Sequence, residues 1–353
     1  MYPKKSIKRI LSIDGGGIRG LIPLYYLALL EKDLIDRGLD SIFDSFDFFA
    51  GTSVGSLIIG SIVYTDSAGG ISDLIQKYFN KENMCQIFYR SYMDKVMNLF
   101  LDRPKYNGIF KKILIKEAVG SQQLCDHSGK HVLIPTYNVS LQEAKFYKSY
   151  KLPQKNFDLV NHVINHANDV NDGLVRSESR MSLMLDDDDL LNVADILDAS
   201  SAAPCYFPSV LINSEDQDQY CIDGAIFANN PVGAAYADAL QLYPTECDIR
   251  ILSIGTGYSA YEKLGPETLK WGLRQWILQG SLLDIFIGIN QDVSDYTTRA
   301  FSESLGHTFI RVQESSVDVS IDDISQIDNM IIIANEWYTK TSKEVLREIF
   351  DIS

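Results

Sequence analysis

One serine lies in a pattern that is typical of an activated nucleophile. The stretch AGTSVGS contains Gly51, Ser53 and Gly55, which together form a G-x-S-x-G motif. In this motif the serine occupies a sharp turn between a strand and a helix, where its Oγ atom is exposed and the glycines leave room for the turn. The predicted chemistry is attack of Ser53 on an acyl carbonyl. The alternative is a serine that only caps a helix.

A glycine-rich loop follows the first predicted strand and has the sequence DGGGIRG. Loops that open a helix present unpaired N–H groups and a partial positive charge. We expect the backbone amides of Gly15, Gly16 and Gly17 to stabilise the oxyanion that a serine nucleophile creates, with Arg19 beside them. Arg19 can assist the oxyanion, bind an anionic head group or hold the loop through a salt bridge. Gly20 completes the motif.

The same loop also fits the dinucleotide-binding pattern G-x-G-x-x-G. That pattern requires an acidic residue at the end of the second strand, where it binds ribose. In this chain the second predicted strand ends in Ala50 and Gly51, followed by Thr52 and Ser53. A nucleotide-binding protein is therefore the less favoured alternative.

A serine nucleophile needs a base, and the chain offers two candidates. Asp223 directly follows the predicted strand QYCI and is itself followed by Gly224 and Ala225. A buried carboxyl group has a raised pKa and can accept a proton from serine, although Asp-Gly is also a common turn pair. His307 is the second candidate, because Ser53, Asp223 and His307 follow the chain order of an α/β-hydrolase triad. Its sequence context predicts the entry of an edge strand, which favours Asp223.

The elements that must position these residues alternate between strands and helices. Predicted strands are 8–13, 43–51, 132–139, 145–150, 219–222 and 249–257, and predicted helices are 21–37, 53–65, 108–119, 190–201, 231–242 and 269–288. This order predicts an α/β fold with a mainly parallel central sheet and helices on both faces. A right-handed crossover brings the glycine loop and Ser53 to the same sheet edge.

Composition narrows the class of protein further. The net charge is −15 and the pI is near 4.7, so we expect no nucleic-acid partner and no attraction to anionic membranes. Five cysteines without a CxxC pair predict reduced and mostly buried thiols. The longest apolar run, 56–64, is too short to span a membrane, and the first strand is preceded by no signal-peptide core. These features predict a cytoplasmic protein, or one that is peripheral on a membrane.

Two further segments have ordinary interpretations. The run DDDD at 186–189 predicts a solvated loop, because the spaced ligands and turn glycine of a calcium site are missing. The segment 270–289 is rich in Trp, Leu, Ile and Phe and can form an interfacial helix. Packing on the core is favoured, because Lys270 and Arg274 are its only basic residues.

Together, DGGGIRG, GTSVG and DGA resemble the three signatures of the patatin-like phospholipase family. The segments PKYNG (104–108), ASSAAPCYFP (199–208) and LSIGTG (252–257), with the tail IRVQESSVDVSIDDIS, resemble the plant patatins. The resemblance implies one patatin-like domain over residues 1–353, with a core of about 8–240 and a C-terminal part, 249–353, packed on it. The implied architecture is a three-layer α/β/α sandwich.

The resemblance also implies a function. The expected activity is hydrolysis of acyl esters in phospholipids, galactolipids and related lipids at a membrane or micelle surface. The expected catalytic pair is Ser53 with Asp223, without a histidine, a metal or a cofactor. The motif residues carried over are Gly15, Gly16, Gly17, Arg19, Gly20, Gly51, Gly55, Gly224 and Ala225. Whether an activating partner or ligand is needed stays open.

Overall fold

The computed structural model describes residues 6–65, 69–90, 103–126, 129–153, 190–213, 218–257, 265–272, 275, 281–314, 317 and 319–352. The strands are β1 (Ile7–Ile13), β2 (Phe48–Gly51), β3 (His131–Asn138), β4 (Glu143–Lys148), β5 (Val210–Asn213), β6 (Asp218–Asp223), β7 (Asp248–Ile254) and β8 (Thr308–Val312). The helices are α1 (Leu21–Asp36), α2 (Ile42–Ser45), α3 (Val54–Tyr64), α4 (Gly70–Lys77), α5 (Lys81–Ile87), α6 (Ile109–Val119), α7 (Val193–Ser200), α8 (Ala225–Ala228), α9 (Val232–Leu242), α10 (Ser281–Leu305) and α11 (Ile327–Phe350). The run 186–189 lies outside the described residues, as do His127, His162 and His166.

The eight strands form one sheet with the order β5-β6-β3-β2-β1-β7-β8, and β4 also pairs with β3. The central strands β3, β2, β1, β7 and β8 are mutually parallel. The strands β4, β5 and β6 join this parallel core through antiparallel pairs. The predicted α/β fold with a mainly parallel sheet is confirmed.

Helices cover both faces of the sheet, because the side chains of the central strands alternate between two cores. In β1, Leu11 packs with the core that includes α1, α3 and α11, whereas Ile10 packs with α9. In β2, Phe49 and Phe48 divide in the same way. All four side chains are fully buried. Strands that are apolar on both faces need a layer of helices on each side.

Three expectations from the sequence were wrong in detail. The predicted strand 43–51 is shorter, because Ser41 accepts a hydrogen bond from the Asp44 amide and caps the short helix α2. The predicted helix 269–288 lies partly outside the described residues, and α10 continues to Leu305. The thiols are not mostly buried, because Cys125 and Cys205 are exposed and Cys85 is half-buried.

Candidate active site

Ser53 occupies the turn between β2 and α3 that the motif predicts. Its backbone has φ 55° and ψ −126°, a strained conformation for a residue with a side chain. Gly55 makes the turn possible, because a Cβ atom there would lie 2.3 Å from the carbonyl oxygen of Ile13. The Oγ atom is thereby presented at the carboxyl edge of the parallel strands, where α/β folds bind ligands.

Strand register brings Asp223 to the same level as Ser53, although β6 runs against β3. Ala50 pairs with Leu133, and Asp223 pairs with Thr136, which is three residues further along β3. Ser53 is also three residues beyond Ala50 in the chain. Because β3 extends past the end of β2, the last residue of an antiparallel strand reaches the carboxyl edge of the parallel strands.

The surroundings of Asp223 suit a base. The side chain is 1% exposed, and this burial raises the pKa of Asp223 to about 6. The Ser53 hydroxyl, the Ala225 amide at 2.8 Å from Oδ1 and the charge of Lys111 limit this rise in pKa. The Oδ2 atom forms no hydrogen bond within the described residues. A carboxyl oxygen without a partner, beside a serine, is available to accept a proton.

The glycine loop differs from the expectation at its first residue. The Gly15 amide donates to the carbonyl of Asn229 at 3.0 Å, and the Gly15 carbonyl accepts from Thr256 Oγ1 at 2.8 Å. The prediction that the Gly15 amide is an oxyanion donor is therefore wrong, because that N–H group is already bonded. Within the described part of the chain, the N–H groups of Gly16 and Gly17 donate to no acceptor. These two amides are the candidate donors.

Arg19 is buried against the loop and is 7% exposed. Its Nε atom donates to the Gly16 carbonyl at 3.5 Å, so the Arg19 side chain contacts the backbone of the glycine loop. Gly20 lets the loop approach the start of α3, because a Cβ atom there would lie 2.4 Å from a methyl group of Val54. The loop and the turn at Ser53 are therefore in direct contact.

A buried ion pair below the loop was missed by the sequence reasoning. Asp14 is fully buried and accepts two hydrogen bonds from Arg311, at 2.8 and 2.5 Å, and one from Gln291 at 2.9 Å. Burial raises the pKa of Asp14, and the charge and hydrogen bonds of Arg311 oppose that rise. Asp14 begins the DGGGIRG sequence, which was the available signal, but its partners lie far away in the chain. The pair anchors the glycine loop to β8 and α10.

The end of α7 contacts both candidate catalytic residues. The Ser53 amide donates to Ser200 Oγ at 3.3 Å, and Ser200 donates to the Pro135 carbonyl at 2.8 Å. The Asp223 amide donates to the Ala202 carbonyl at 3.1 Å. The signal in the sequence was the segment ASSAAP, whose serines had no assigned role. This segment fixes the backbone of Ser53 and Asp223 relative to each other.

A cavity of about 1080 Å³ contains the candidate site. Its lining includes Ser53, Asp223, Arg19 and the loop glycines. Most of the remaining lining is apolar and includes Leu57, Met84, Phe88, Leu114, Ile115 and Val319. A cavity of this size and character accommodates a long hydrocarbon chain beside a few polar groups.

The position of His307 contradicts the alternative triad. His307 precedes β8, a parallel strand, so it lies at the amino edge of the sheet, opposite Ser53. Its Nδ1 atom is 2.8 Å from the hydroxyl of Tyr236. His131 begins β3 at the same edge, among the rings of Phe48, Tyr150 and Tyr243. Neither histidine lines the cavity.

The described residues contain no cluster of three or more His, Cys, Asp or Glu side chains that could hold a metal ion. Among those residues, no helix combines the length and apolar character needed to cross a membrane.

The fold and the cavity define an α/β protein with a serine and a buried carboxyl group at the carboxyl edge of its parallel strands. A family model described as patatin-like phospholipase matches residues 11–236, and the chain belongs to that family. The resemblance seen in the sequence is confirmed. Membership in this family supports lipid acyl hydrolase activity.

Relatives match over most of this chain. It is 28% identical to patatin-like protein 2 of Arabidopsis thaliana, over 96% of this chain and 83% of that protein. It is 26% identical to a cGAMP-activated phospholipase of Vibrio cholerae, over 99% of this chain and 96% of that protein. Among solved structures, human GIVD cytosolic phospholipase A2 matches with a TM-score of 0.42 and 11% identity, over 98% of this chain and 60% of that chain.

Proposed function

We propose that the protein hydrolyses fatty-acyl esters of phospholipids or galactolipids through a dyad of Ser53 and Asp223. The observation that carries the proposal is the unpartnered Oδ2 atom of a buried Asp223, in the same apolar cavity as the strained Ser53. An aspartate with a pKa of about 6 is ionised at neutral pH and is a stronger base than an exposed one.

In the acylation step, Asp223 takes the hydroxyl proton of Ser53 while Oγ forms a bond to the ester carbonyl carbon. The carbonyl oxygen becomes an oxyanion, which the amides of Gly16 and Gly17 stabilise. One such donor contributes roughly 3 kcal/mol to transition-state stabilisation. The bond to the alcohol oxygen then breaks, and Asp223 returns its proton to the leaving lysolipid. An acyl-serine remains.

In the deacylation step, Asp223 accepts a proton from water as the water oxygen attacks the acyl carbonyl. The bond between the acyl carbon and Ser53 Oγ breaks, and the proton on Asp223 returns to the serine. A free fatty acid leaves through the cavity. Each proton that Asp223 accepts is passed on within the same half-reaction, so one carboxylate serves both steps.

The apolar lining also disfavours the nucleotide-binding alternative. The Ile18 amide, which follows the loop glycines, donates to the Ile321 carbonyl at 2.8 Å. A Cβ atom on Gly17 would lie 2.2 Å from that same carbonyl oxygen. A phosphate-binding loop needs a polar cavity, whereas this loop opens into a mostly apolar cavity and its Ile18 amide is already bonded.

The test is hydrolysis of a medium-chain p-nitrophenyl ester by the wild type, Ser53→Ala, Asp223→Asn and His307→Ala. We expect the first two variants to lose about 10³-fold or more in kcat/KM, and His307→Ala to stay within about threefold of the wild type. Full activity of Ser53→Ala would refute the nucleophile, and an inactive His307→Ala would refute the dyad. An alkyl fluorophosphonate should add one adduct to the wild type and none to Ser53→Ala. A phospholipid and galactolipid panel then identifies the substrate.

A second proposal concerns activation. The relative from Vibrio cholerae is named for activation by cGAMP, and the match runs almost from end to end of both chains. This coverage supports a hydrolase whose activity rises when cGAMP binds. The same ester assay, run with and without micromolar cGAMP, tests the proposal. Activation of at least tenfold supports it, and equal rates in both arms would refute it.

A further inference from the structure

Helix α10 exposes large apolar side chains to solvent and buries polar ones. The large apolar side chains Ile289, Val293 and Tyr296 are 53%, 57% and 74% exposed. The polar side chains Gln291, Thr298 and Ser302 are 6%, 2% and 0% exposed. A surface helix normally turns its apolar residues toward the core and its polar residues toward water. An exposed apolar face of this kind marks a binding surface.

Four exposed apolar residues of α10 form a continuous row. Ile289, Val293, Tyr296 and the exposed Ala300 follow the spacing i, i+4, i+7 and i+11, which places them on one side of an α-helix. We name these four residues the α10 stripe. The stripe is about 16 Å long at the rise of an α-helix. It lies opposite the buried side chain of Gln291, which bonds Asp14 below the glycine loop.

The α10 stripe begins at the mouth of the candidate site. Ile289 lines the cavity and is also exposed, so it lies at the rim. Asp292, one turn further along α10, is likewise an exposed lining residue. A lipid held against the stripe would therefore face the entrance of the cavity that contains Ser53.

The charges beside the stripe restrict its occupant. Asp292, Asp295 and Glu303 lie on α10 near the stripe, and Arg299 pairs with Asp295 at 3.5 Å. The net charge of the whole chain is −15, so the protein repels an anionic bilayer, and a second copy would bring the same acidic residues of α10 together. A zwitterionic phospholipid bilayer has no net charge, so the acidic residues beside the stripe do not repel it. Tyr296 has the amphipathic side chain that favours such an interface.

We propose that the α10 stripe docks the protein on a zwitterionic phospholipid bilayer and holds the cavity mouth at Ile289 against the lipid. The inference rests on the proposed function, because it gives the ester a route from the bilayer to Ser53. It adds the surface that binds the membrane and the charge class of lipid that the surface accepts.

Binding is tested without catalysis, in a Ser53→Ala background. The probe is sedimentation with phosphatidylcholine vesicles, comparing the parent with Val293→Ser/Tyr296→Ser. These two side chains do not line the cavity, and both are largely exposed, so folding should be unaffected. We expect the partition coefficient to fall at least tenfold. The control is Ile332→Ser on α11. Ile332 is 57% exposed, like the stripe residues, but belongs to a different helix. We expect this variant to bind vesicles as the parent does.

Three outcomes would overturn the proposal. They are unchanged binding of the double variant, tighter binding to phosphatidylserine vesicles than to phosphatidylcholine vesicles, and a dimer in sedimentation velocity that the double substitution dissociates. In the active enzyme, with cGAMP supplied, the double substitution should lower hydrolysis of vesicle lipid at least tenfold and leave a soluble ester within twofold. If the wild type hydrolyses neither lipid nor ester, the proposed function is refuted. The docking proposal is judged separately, because vesicle binding is measured with the Ser53→Ala variant.

Discussion

Lys111 and Asp198 form an ion pair at 2.9 Å in which both side chains are less than a tenth exposed. The Lys111 ammonium also donates to the Asp198 carbonyl at 2.8 Å and to Ser201 Oγ at 2.9 Å. Lys111 therefore fixes the C-terminal end of α7. In this region Ser200 accepts a hydrogen bond from the Ser53 amide, and Ala202 accepts one from the Asp223 amide. This lysine is a positioning residue for the candidate dyad.

Lys111→Met is expected to lower the free energy of unfolding by about 3–5 kcal/mol, because the buried Asp198 then keeps only the more distant Lys112, at 4.0 Å, as an ion-pair partner. Lys112→Met is the matched control on the same helix, since Lys112 is 40% exposed and pairs with Asp195 at 3.1 Å. That exposed pair should contribute about 1 kcal/mol or less. Urea denaturation measures both variants. Equal losses in the two variants would contradict the role of the buried pair.

The activity on a soluble ester should titrate with Asp223. The base must be ionised, so kcat/KM is expected to rise about tenfold per pH unit up to a pH near 6 and then to level off. Because the charge of Lys111 lowers the pKa of Asp223, Lys111→Met should move the midpoint to higher pH. Lys112→Met should leave it unchanged. A midpoint near the ordinary aspartate value of 3.8 would show that Asp223 is not the buried base.

The raised pKa of Asp223 should also cost stability. The folded protein holds this proton more tightly than the unfolded chain, so stability falls as the pH rises from 3.8 through about 6. This shift corresponds to about 3 kcal/mol at neutral pH. Asp223→Asn should therefore abolish activity but raise the free energy of unfolding by up to about 3 kcal/mol above pH 6.

The gain in stability should disappear at the lowest pH, where the wild-type carboxyl group is neutral in both states. Chemical denaturation at several pH values measures it. A gain that does not change with pH would point to a cause other than the ionisation of Asp223.

Gly55 should tolerate no side chain. A Cβ atom there would lie 2.3 Å from the Ile13 carbonyl oxygen, so Gly55→Ala must displace the turn that presents Ser53. We expect a loss of stability of about 1–3 kcal/mol. Gly288→Ala is the helical control, since no atom beyond its chain neighbours and its own helix backbone lies within 4 Å of its added Cβ, and it should gain up to about 1 kcal/mol. A neutral Gly55→Ala, measured by urea denaturation, would refute the packing argument.

The sequence by itself determined the central elements and the residues of the candidate dyad. The strand β1, the helix α1 and the turn at Ser53 are local features, because apolar periodicity and the spacing of glycines act over a few residues. The crossover rule then brought the glycine loop and Ser53 to the same edge. The roles of Ser53 and Asp223 came from the residues together with the family resemblance.

Only the tertiary structure decided how the site is supported. Asp14 and Arg311 are separated by 297 residues, and no local pattern connects them. The Gly15 amide, expected to bind an oxyanion, bonds Asn229 because a distant segment lies against the loop. The direction in which α10 turns its polar side chains follows from the buried Gln291 and from the neighbours that it meets. Long-range partners and burial set these features, because they depend on which surfaces the fold brings together and not on the order of residues within an element.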